Sequence, residues 1–388
     1  MTYVVGGANT YSKRRFPDAA RNLKAVRADG PRVICDDGRE YVDAVAALGP
    51  ILLGHGWPAI QTAAHKQSWR GVSLSLPTEI EETLAERLVS MTPGMEMCRF
   101  GKNGNDVVNT AVRIARAVTG RVMVLRNGYH GHADWCIEEP TAGGVLAPNI
   151  AARHTVRDME AIRYFVREMR PAAVVIDPNP AHDPTEGPPY DFAEVRRLCD
   201  EHGALLILDE MVTGFRLGQP GAVTTYGIDC DLWCGAKALG GGWPITALLG
   251  KRPYMERLEK DVFYSTTFAG ESVSIAAALA SLSEMERVKA WEAVAGLGKQ
   301  IRDFYAAAAE AFGLSGMTRT VGYDARPVFR WTDNQAEAAF LEAVNRGGML
   351  FQGYINVMVS HRDAMPEIER ALTMGLEAAC AVSHTLAA

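Results

Sequence analysis

Lys237 is the one charged side chain in Cys234-Gly-Ala-Lys-Ala-Leu-Gly-Gly-Gly-Trp-Pro244. A surface lysine usually keeps polar neighbours. Ala236, Ala238 and Leu239 instead offer this one an apolar wall, which disfavours the charged form of an amine. Such an amine suits attack on a carbonyl to form a Schiff base; the plainer reading is a lysine snorkelling out of a Gly-rich turn. Twenty-eight residues upstream, Leu205-Leu-Ile-Leu-Asp-Glu210 is apolar until two carboxylates close it. Ligands of open α/β sheets bind beyond the carboxyl ends of the strands, so Asp209 and Glu210 are both expected to face a site. A third signal, Arg99-Phe-Gly-Lys-Asn-Gly-Asn-Asp-Val-Val108, runs from a strand end into a helix. The free N–H groups and positive dipole end at Gly104 and Asn105 suit a phosphate. No Gly-Lys-Ser/Thr follows, so this is not a P-loop, and no Gly-x-Gly-x-x-Gly supports a dinucleotide site.

The elements that must position these groups alternate. Val122–Leu125, Ala173–Ile176, Leu205–Leu208 and Ala247–Leu249 are short apolar runs suited to buried strands, with helix-like stretches at 106–118, 158–169 and 192–202. Strands alternating with helices predict βαβ units, hence an α/β fold on a mostly parallel sheet covered on both faces. Ahead of them, Pro31–Val42 reads as a hairpin around Asp37-Gly38, and Thr78 with Glu81 fits the capping box of a helix carrying Ile80, Leu84, Leu88 and Val89 on one face. Residues 272–312 read as long helices, and 318–388 as short strands before a terminal helix at Met365–Val382. That shift predicts a large domain at 45–283 and a smaller α+β domain from 1–44 plus 284–388.

The chain has 388 residues, 48% of them hydrophobic and 22% charged, as in an ordinary globular protein rather than a disordered one. Its net charge of −6 argues against a general grip on nucleic acid. The seven cysteines are scattered with no Cys-x-x-Cys, and Cys230 and Cys234 have no second pair to complete a zinc set. Reduced thiols, no metal site, no membrane span and a cytoplasmic location are expected.

A phosphate-cradling helix start, an acid at a strand end and a Schiff-base lysine together meet the needs of pyridoxal 5'-phosphate. Its phosphate must be neutralised, its aldehyde needs an amine, and its pyridine nitrogen needs an anionic partner if the ring is to accept electrons. Around these groups the chain resembles the class III, fold-type I aminotransferases, and within them the glutamate-1-semialdehyde aminomutase group. The resemblance rests on Gly7-Ala-Asn-Thr-Tyr-Ser-Lys13, Leu53-Gly-His55, Phe100-Gly-Lys-Asn-Gly104, Gly128-Tyr-His-Gly131 with Asp134-Trp135, Asp209-Glu-Met-Val-Thr-Gly-Phe-Arg216, Lys237 with its Gly run, and Thr266-Thr-Phe268. It implies that Lys237 is the Schiff-base lysine and Asp209 the partner of the pyridine nitrogen. Asn103, Gly104 and Asn105 fall where the family binds phosphate. Tyr129 falls where an aromatic ring stacks on the cofactor, with Met211 on the opposite face. Thr267 resembles a residue that reaches the phosphate from a neighbouring subunit, which implies a homodimer. Three departures stand out: Asn105 replaces a usual Ser or Thr, Asp177 a usual Glu, and the chain is trimmed around 310–330.

The activity implied is transfer of an amino group between an amino donor and a small carbonyl acceptor (a keto sugar, semialdehyde or keto acid), both small molecules. Arg14, Arg15 and Arg216 are candidates to hold a substrate carboxylate. The alternatives are an intramolecular 2,1-aminomutase and a binding protein that keeps the fold without catalysis. His130 and His132 are read as structural side chains, with metal ligation the lesser alternative.

Overall fold

A computed structural model describes residues 3–137, 141–146, 153–181 and 183–387, with side chains as far as Ser383. The chain divides into two compact units, Pro58–Arg287 and Met1–Trp57 with Val288–Ala388.

The first unit is built on a seven-stranded sheet. In chain order its strands are β1 (Met97–Gly101), β2 (Val124–Arg126), β3 (Arg153–Thr155), β4 (Ala173–Ile176), β5 (Leu205–Glu210), β6 (Leu232–Gly235) and β7 (Thr246–Gly250). Their order across the sheet is β1-β7-β6-β5-β4-β2-β3. β7 runs antiparallel to both its neighbours, and every other pair is parallel. The strands β4 to β7 are buried along their whole length, which is why their sequences are apolar runs rather than alternations. Helix α1 (Gly104–Thr119) lays Val107, Val108, Ala111, Val112, Ile114 and Ala115 on the sheet.

The predicted runs at 173–176, 205–208 and 247–249 fall within observed strands. The run at 122–125 starts two residues late, because Val122 is exposed. β3 and β6 went unmarked in the sequence, and β1 was marked only by its end at Arg99: β3 reads Arg-His-Thr, and β6 is four residues long and runs into the lysine segment. The helix Glu79–Met91 opens as expected, with the Glu81 carboxylate accepting the Thr78 N–H at 2.8 Å. Because β2, β4, β5 and β6 are consecutive neighbours, the segments leaving their carboxyl ends gather along one edge. Those segments carry Asn127–Gly131, Asp177, Asp209–Met211 and Lys237.

In the second unit, Arg32–Cys35 and Glu40–Asp43 form the predicted hairpin, with Gly38 at φ 79°. Ala25–Asp29 and the parallel Met349–Leu350 extend it to four strands. Thr318–Val321 pairs with Val328–Trp331, and Ala290–Ala311, Asn334–Arg346 and Met365–Ala387 are helical. An aromatic cluster fills this core: the Phe340 ring lies 5.8 Å from Tyr305, 5.8 Å from Phe351 and 5.1 Å from Trp331. Truncating it leaves a void that a close-packed interior cannot collapse. Phe340→Ala is expected to cost about 3–5 kcal/mol in urea unfolding, and a loss below about 1 kcal/mol would mean the cluster is loosely packed.

Candidate active site

Asp209 is 3% exposed at the end of β5. Its Oδ1 accepts the Met211 N–H at 3.1 Å, and its Oδ2 lies 2.6 Å from His130 Nδ1. Glu210, expected to face the site as well, does not. Successive strand side chains point to opposite faces. Its carboxylate instead accepts Thr213 Oγ1 at 2.8 Å, the N–H groups of Ala222 at 2.6 Å and Val223 at 2.8 Å, and Trp233 Nε1 at 3.0 Å. Burial raises the Glu210 carboxyl pKa, and these four donors oppose that shift. The residue pins the 213–223 segment rather than a ligand.

The start of α1 meets the Asp209 turn directly. A Cβ at Gly104 would lie 2.8 Å from Met211 Sδ, so a larger residue there would make the Met211 side chain shift. Asn103 caps the helix, and its N–H is accepted by Asp106 Oδ2 at 2.8 Å. The Asn105 Oδ1 accepts the His132 N–H at 3.1 Å, and a Cβ at Gly131 would meet that same oxygen at 2.7 Å. Gly131 also has φ 107°, a conformation other residues avoid. The turns at 103–105, 128–132 and 209–211 are thus fitted to one another. Tyr129, on the second of them, is 63% exposed. Its hydroxyl is raised by burial, then by Cys136 and Asp209.

Lys237 follows β6, whose Cys234 is in register with Asp209. Its backbone sits at φ 49°, a left-handed conformation costing roughly 1–2 kcal/mol for a residue with a Cβ. Such strain is commonly kept at functional positions. Asp177, after β4, is buried and senses both Lys237 and Asp209. Its Oδ1 accepts the Asn179 N–H at 3.0 Å, while the Asn127 side chain donates to its carbonyl at 2.9 Å and accepts its N–H at 2.8 Å. His130 and Asn127 were not marked as site residues by the sequence, since neither a lone histidine nor a lone asparagine at a strand end stands out.

Thr267 is exposed on a turn next to Tyr264, whose hydroxyl donates to Phe100 O at 2.9 Å beside the start of α1. Arg216 is buried in the segment after β5, its N–H donating to Thr213 O at 3.0 Å. Arg14 and Arg15 belong to the other unit. There Arg14 donates to Ala8 O at 3.0 Å, and Arg15 lies over the Tyr11 ring at 4.8 Å. Among the described residues no group of three or more His, Cys, Asp or Glu is placed to hold a metal ion, and all seven cysteines are free. No helix among them is long and apolar enough to cross a membrane.

A donor-rich helix start, a buried acid and a strained lysine on one edge of a mostly parallel sheet have the architecture of the fold-type I pyridoxal phosphate enzymes. The family model for class-III aminotransferases matches residues 16–143 and 147–353, and the chain belongs to that family, whose cofactor is pyridoxal phosphate. It is 32% identical over 377 residues to a glutamate-1-semialdehyde 2,1-aminomutase of Syntrophobacter fumaroxidans (strain DSM 10017 / MPOB), covering 89% of this chain and 87% of that one. It is similar to the FumI protein of Sphingopyxis sp. MTA144, solved in its PLP internal aldimine form, with a TM-score of 0.90, 28% identity, and 100% and 95% of the two chains covered. An omega-transaminase from Sphaerobacter thermophilus shares the fold at a TM-score of 0.87 and 23% identity, over 97% and 95% of the chains.

Burial, with Asp209 close by, pushes the Asp177 carboxyl from its ordinary 3.8 up to about 6, against the opposing pull of His130 and Lys237. Between about pH 4 and 6 the folded protein therefore keeps a proton that the unfolded chain has released, so stability falls as pH rises through that window. Asp177→Asn is neutral at every pH. It is expected to unfold at higher urea than wild type at pH 8, by up to roughly 3 kcal/mol. The difference should vanish toward pH 3; one that stays constant with pH would show that the carboxyl is not the cause.

Proposed function

We propose that the turns at 103–105, 128–132 and 209–211, with Lys237, hold pyridoxal 5'-phosphate, and that the enzyme moves an amino group from an amino donor to a small carbonyl acceptor. The keto sugars, semialdehydes and keto acids are the acceptor classes. The observation that carries this reading is the buried Asp209, in register with the strand that delivers Lys237 to the same edge. In this reading Pro58–Arg287 is the cofactor-binding domain and the remaining chain the small domain.

The residues present fit the group. Gly104 and Asn105 offer first-turn N–H groups to a phosphate, and Asn103 and Asn105 add side-chain amides, that of Asn105 where a hydroxyl is more usual. Tyr129, with an exposed ring, and Met211 would flank the planar ring of the cofactor, and Asp209 would be the anionic partner of its ring nitrogen. When bound, the cofactor supplies the aldehyde for Lys237 and an electron sink for a carbanion at the donor carbon. Lys237 Nζ would be the base that takes the proton from the donor Cα. Arg216, buried in the same unit, is the candidate to hold a substrate carboxylate; a buried guanidinium attracts an anion more strongly than an exposed one.

The active unit is a homodimer in which Thr267 of one copy reaches the phosphate of the other. Support comes from the exposed apolar side chains Trp69, Val72, Leu74 and Leu76, on the segment whose Val72 carbonyl accepts the Ser272 N–H at 2.9 Å, and from exposed Phe268 beside Thr267. Solvent does not favour such a cluster, and a second copy would cover it. Free cysteines support a cytoplasmic enzyme, and the net charge of −6 small-molecule substrates rather than nucleic acid.

A second reading, an intramolecular 1,2-amino shift, is favoured by the 32% identity to an aminomutase. The two differ in their need for an external donor. A transaminase releases a keto acid from that donor, whereas an aminomutase isomerises its substrate without one. Lys237→Ala is expected to lose at least about 10³-fold in turnover and to yield no borohydride-fixed cofactor peptide. Labelling elsewhere, with turnover intact, would end the assignment. Sedimentation should show a dimer, and Leu74→Glu with Leu76→Glu should shift it toward monomer; a wild-type monomer would remove the shared site.

A further inference from the structure

We propose that Lys102 and Glu271 are positioning residues, whose ion pair ties the turn that carries Thr267 to the turn that would hold the phosphate. The inference rests on the phosphate reading of residues 103–105 and the shared-site reading of Thr267 given above.

Lys102 stands one residue before Asn103-Gly104-Asn105, where an ammonium is a natural counter-ion for a phosphate. The structure directs that charge elsewhere. Lys102 Nζ lies 2.8 Å from Glu271 Oε2, and the two side chains are only 14% and 12% exposed. The Lys102 and Asn103 N–H groups are both accepted by Asp106 Oδ2, at 3.1 and 2.8 Å, so the lysine leaves from a turn that is itself fixed. Glu271 is fixed on the other side. Its carboxylate accepts the Val273 N–H at 2.7 Å, the Ser274 N–H at 3.2 Å and the Ser274 hydroxyl at 2.6 Å, at the start of the helix Ser272–Arg287. Burial pushes the Glu271 carboxyl up, and Lys102 with Ser274 more than reverses this, holding it below its ordinary 4.5. Charges this far from water persist as partners, and removing one strands the other.

A second anchor lies upstream. The Tyr264 hydroxyl donates to Phe100 O at 2.9 Å, and Arg113 donates to Phe263 O at 2.7 Å. A Cβ at Gly101 would stand 2.6 Å from that hydroxyl, so the end of β1 meets Tyr264 with no room between them. Residues 265–270 therefore span two anchors, on Phe100 and on Lys102, which lead into the phosphate turn. Ser265, Thr266, Thr267 and Phe268 are exposed within that span, where the Ala269 N–H donates to Thr266 O at 3.2 Å. An exposed stretch this short is placed by its ends. Breaking the ion pair frees the downstream end, and Thr267 loses its fixed distance from residues 103–105 of its own copy. In a dimer, each copy's phosphate turn thus sets the placement of the threonine it presents to its partner.

Pyridoxal phosphate and pyridoxal, which differ in the phosphate ester alone, are the probes, titrated by absorbance into the cofactor-free protein. Lys102→Met keeps the stem. Glu271→Gln keeps an acceptor oxygen for the helix N–H groups, so it reports on the pair even where Lys102→Met fails to fold. Each is expected to weaken pyridoxal phosphate at least about fivefold and pyridoxal less than about twofold, with the double variant losing no more than the worse single. Thr267→Ala should weaken pyridoxal phosphate in the wild type yet add less than about twofold in Lys102→Met. Equal losses for both probes would make the pair merely structural and overturn the proposal. Losses that simply add with Thr267→Ala, or an unchanged affinity, overturn it too. A wild type that does not bind pyridoxal phosphate overturns the proposed function, and one that binds it as a monomer overturns the shared site. A wild-type dimer that binds it, with pair variants that bind equally well, overturns this inference alone.

Discussion

A carboxylate taken out of water is costly unless something on the protein replaces the hydration it loses. Asp209 has that replacement in two directions, a backbone N–H on one oxygen and an imidazole on the other. The sheet supplies both: the first comes from the turn that Asp209 itself opens, the second from the exit of β2 two strands away. Asp177 follows β4, the strand that separates β5 from β2, close enough to be felt. The site is thus a property of strand order. Breaking the β4–β5 pairing would scatter the charges, whereas changing an outer helix would leave them in place.

The neighbouring acid shows how one strand can do two jobs. Glu210 looks away from Asp209 and is consumed by four donors from the 213–223 segment and β6. A site acid must keep one direction open, and a structural acid must close all of them. The alternation of side chains along β5 assigns one role to each position without any insertion.

The alternation of buried strands and helices was legible because both faces of the sheet are covered, which leaves uninterrupted apolar runs such as Ala173–Ile176 and Leu205–Leu208. Lys237 and Asp209 were legible because a charge among glycines and a charge at the end of an apolar run both break a local pattern. His130 was not: its meaning comes from a carbonyl three residues back and a carboxylate on a strand seventy-nine residues on, a contact that spacing does not encode. Glu210 was misread for the opposite reason, since a pair of acids closing a strand looks like one feature until the pleat separates them. Arg153–Thr155 escaped notice as a polar edge strand and Leu232–Gly235 as a four-residue interior one, both taking their conformation from neighbours rather than from their own residues.

β7 runs opposite to its neighbours and is bonded on one flank to the strand that leads to Asn103 and on the other to the strand that leads to Lys237. Its first residue, Thr246, is in register with Gly101, and its second, Ala247, with Gly235. The outer strands therefore stop level with each other, two inter-strand spacings apart, or about 10 Å. Backbone pairing alone therefore sets the spacing between the points where the chain leaves for Asn103 and for Lys237, and side chains along the rim can vary without changing it.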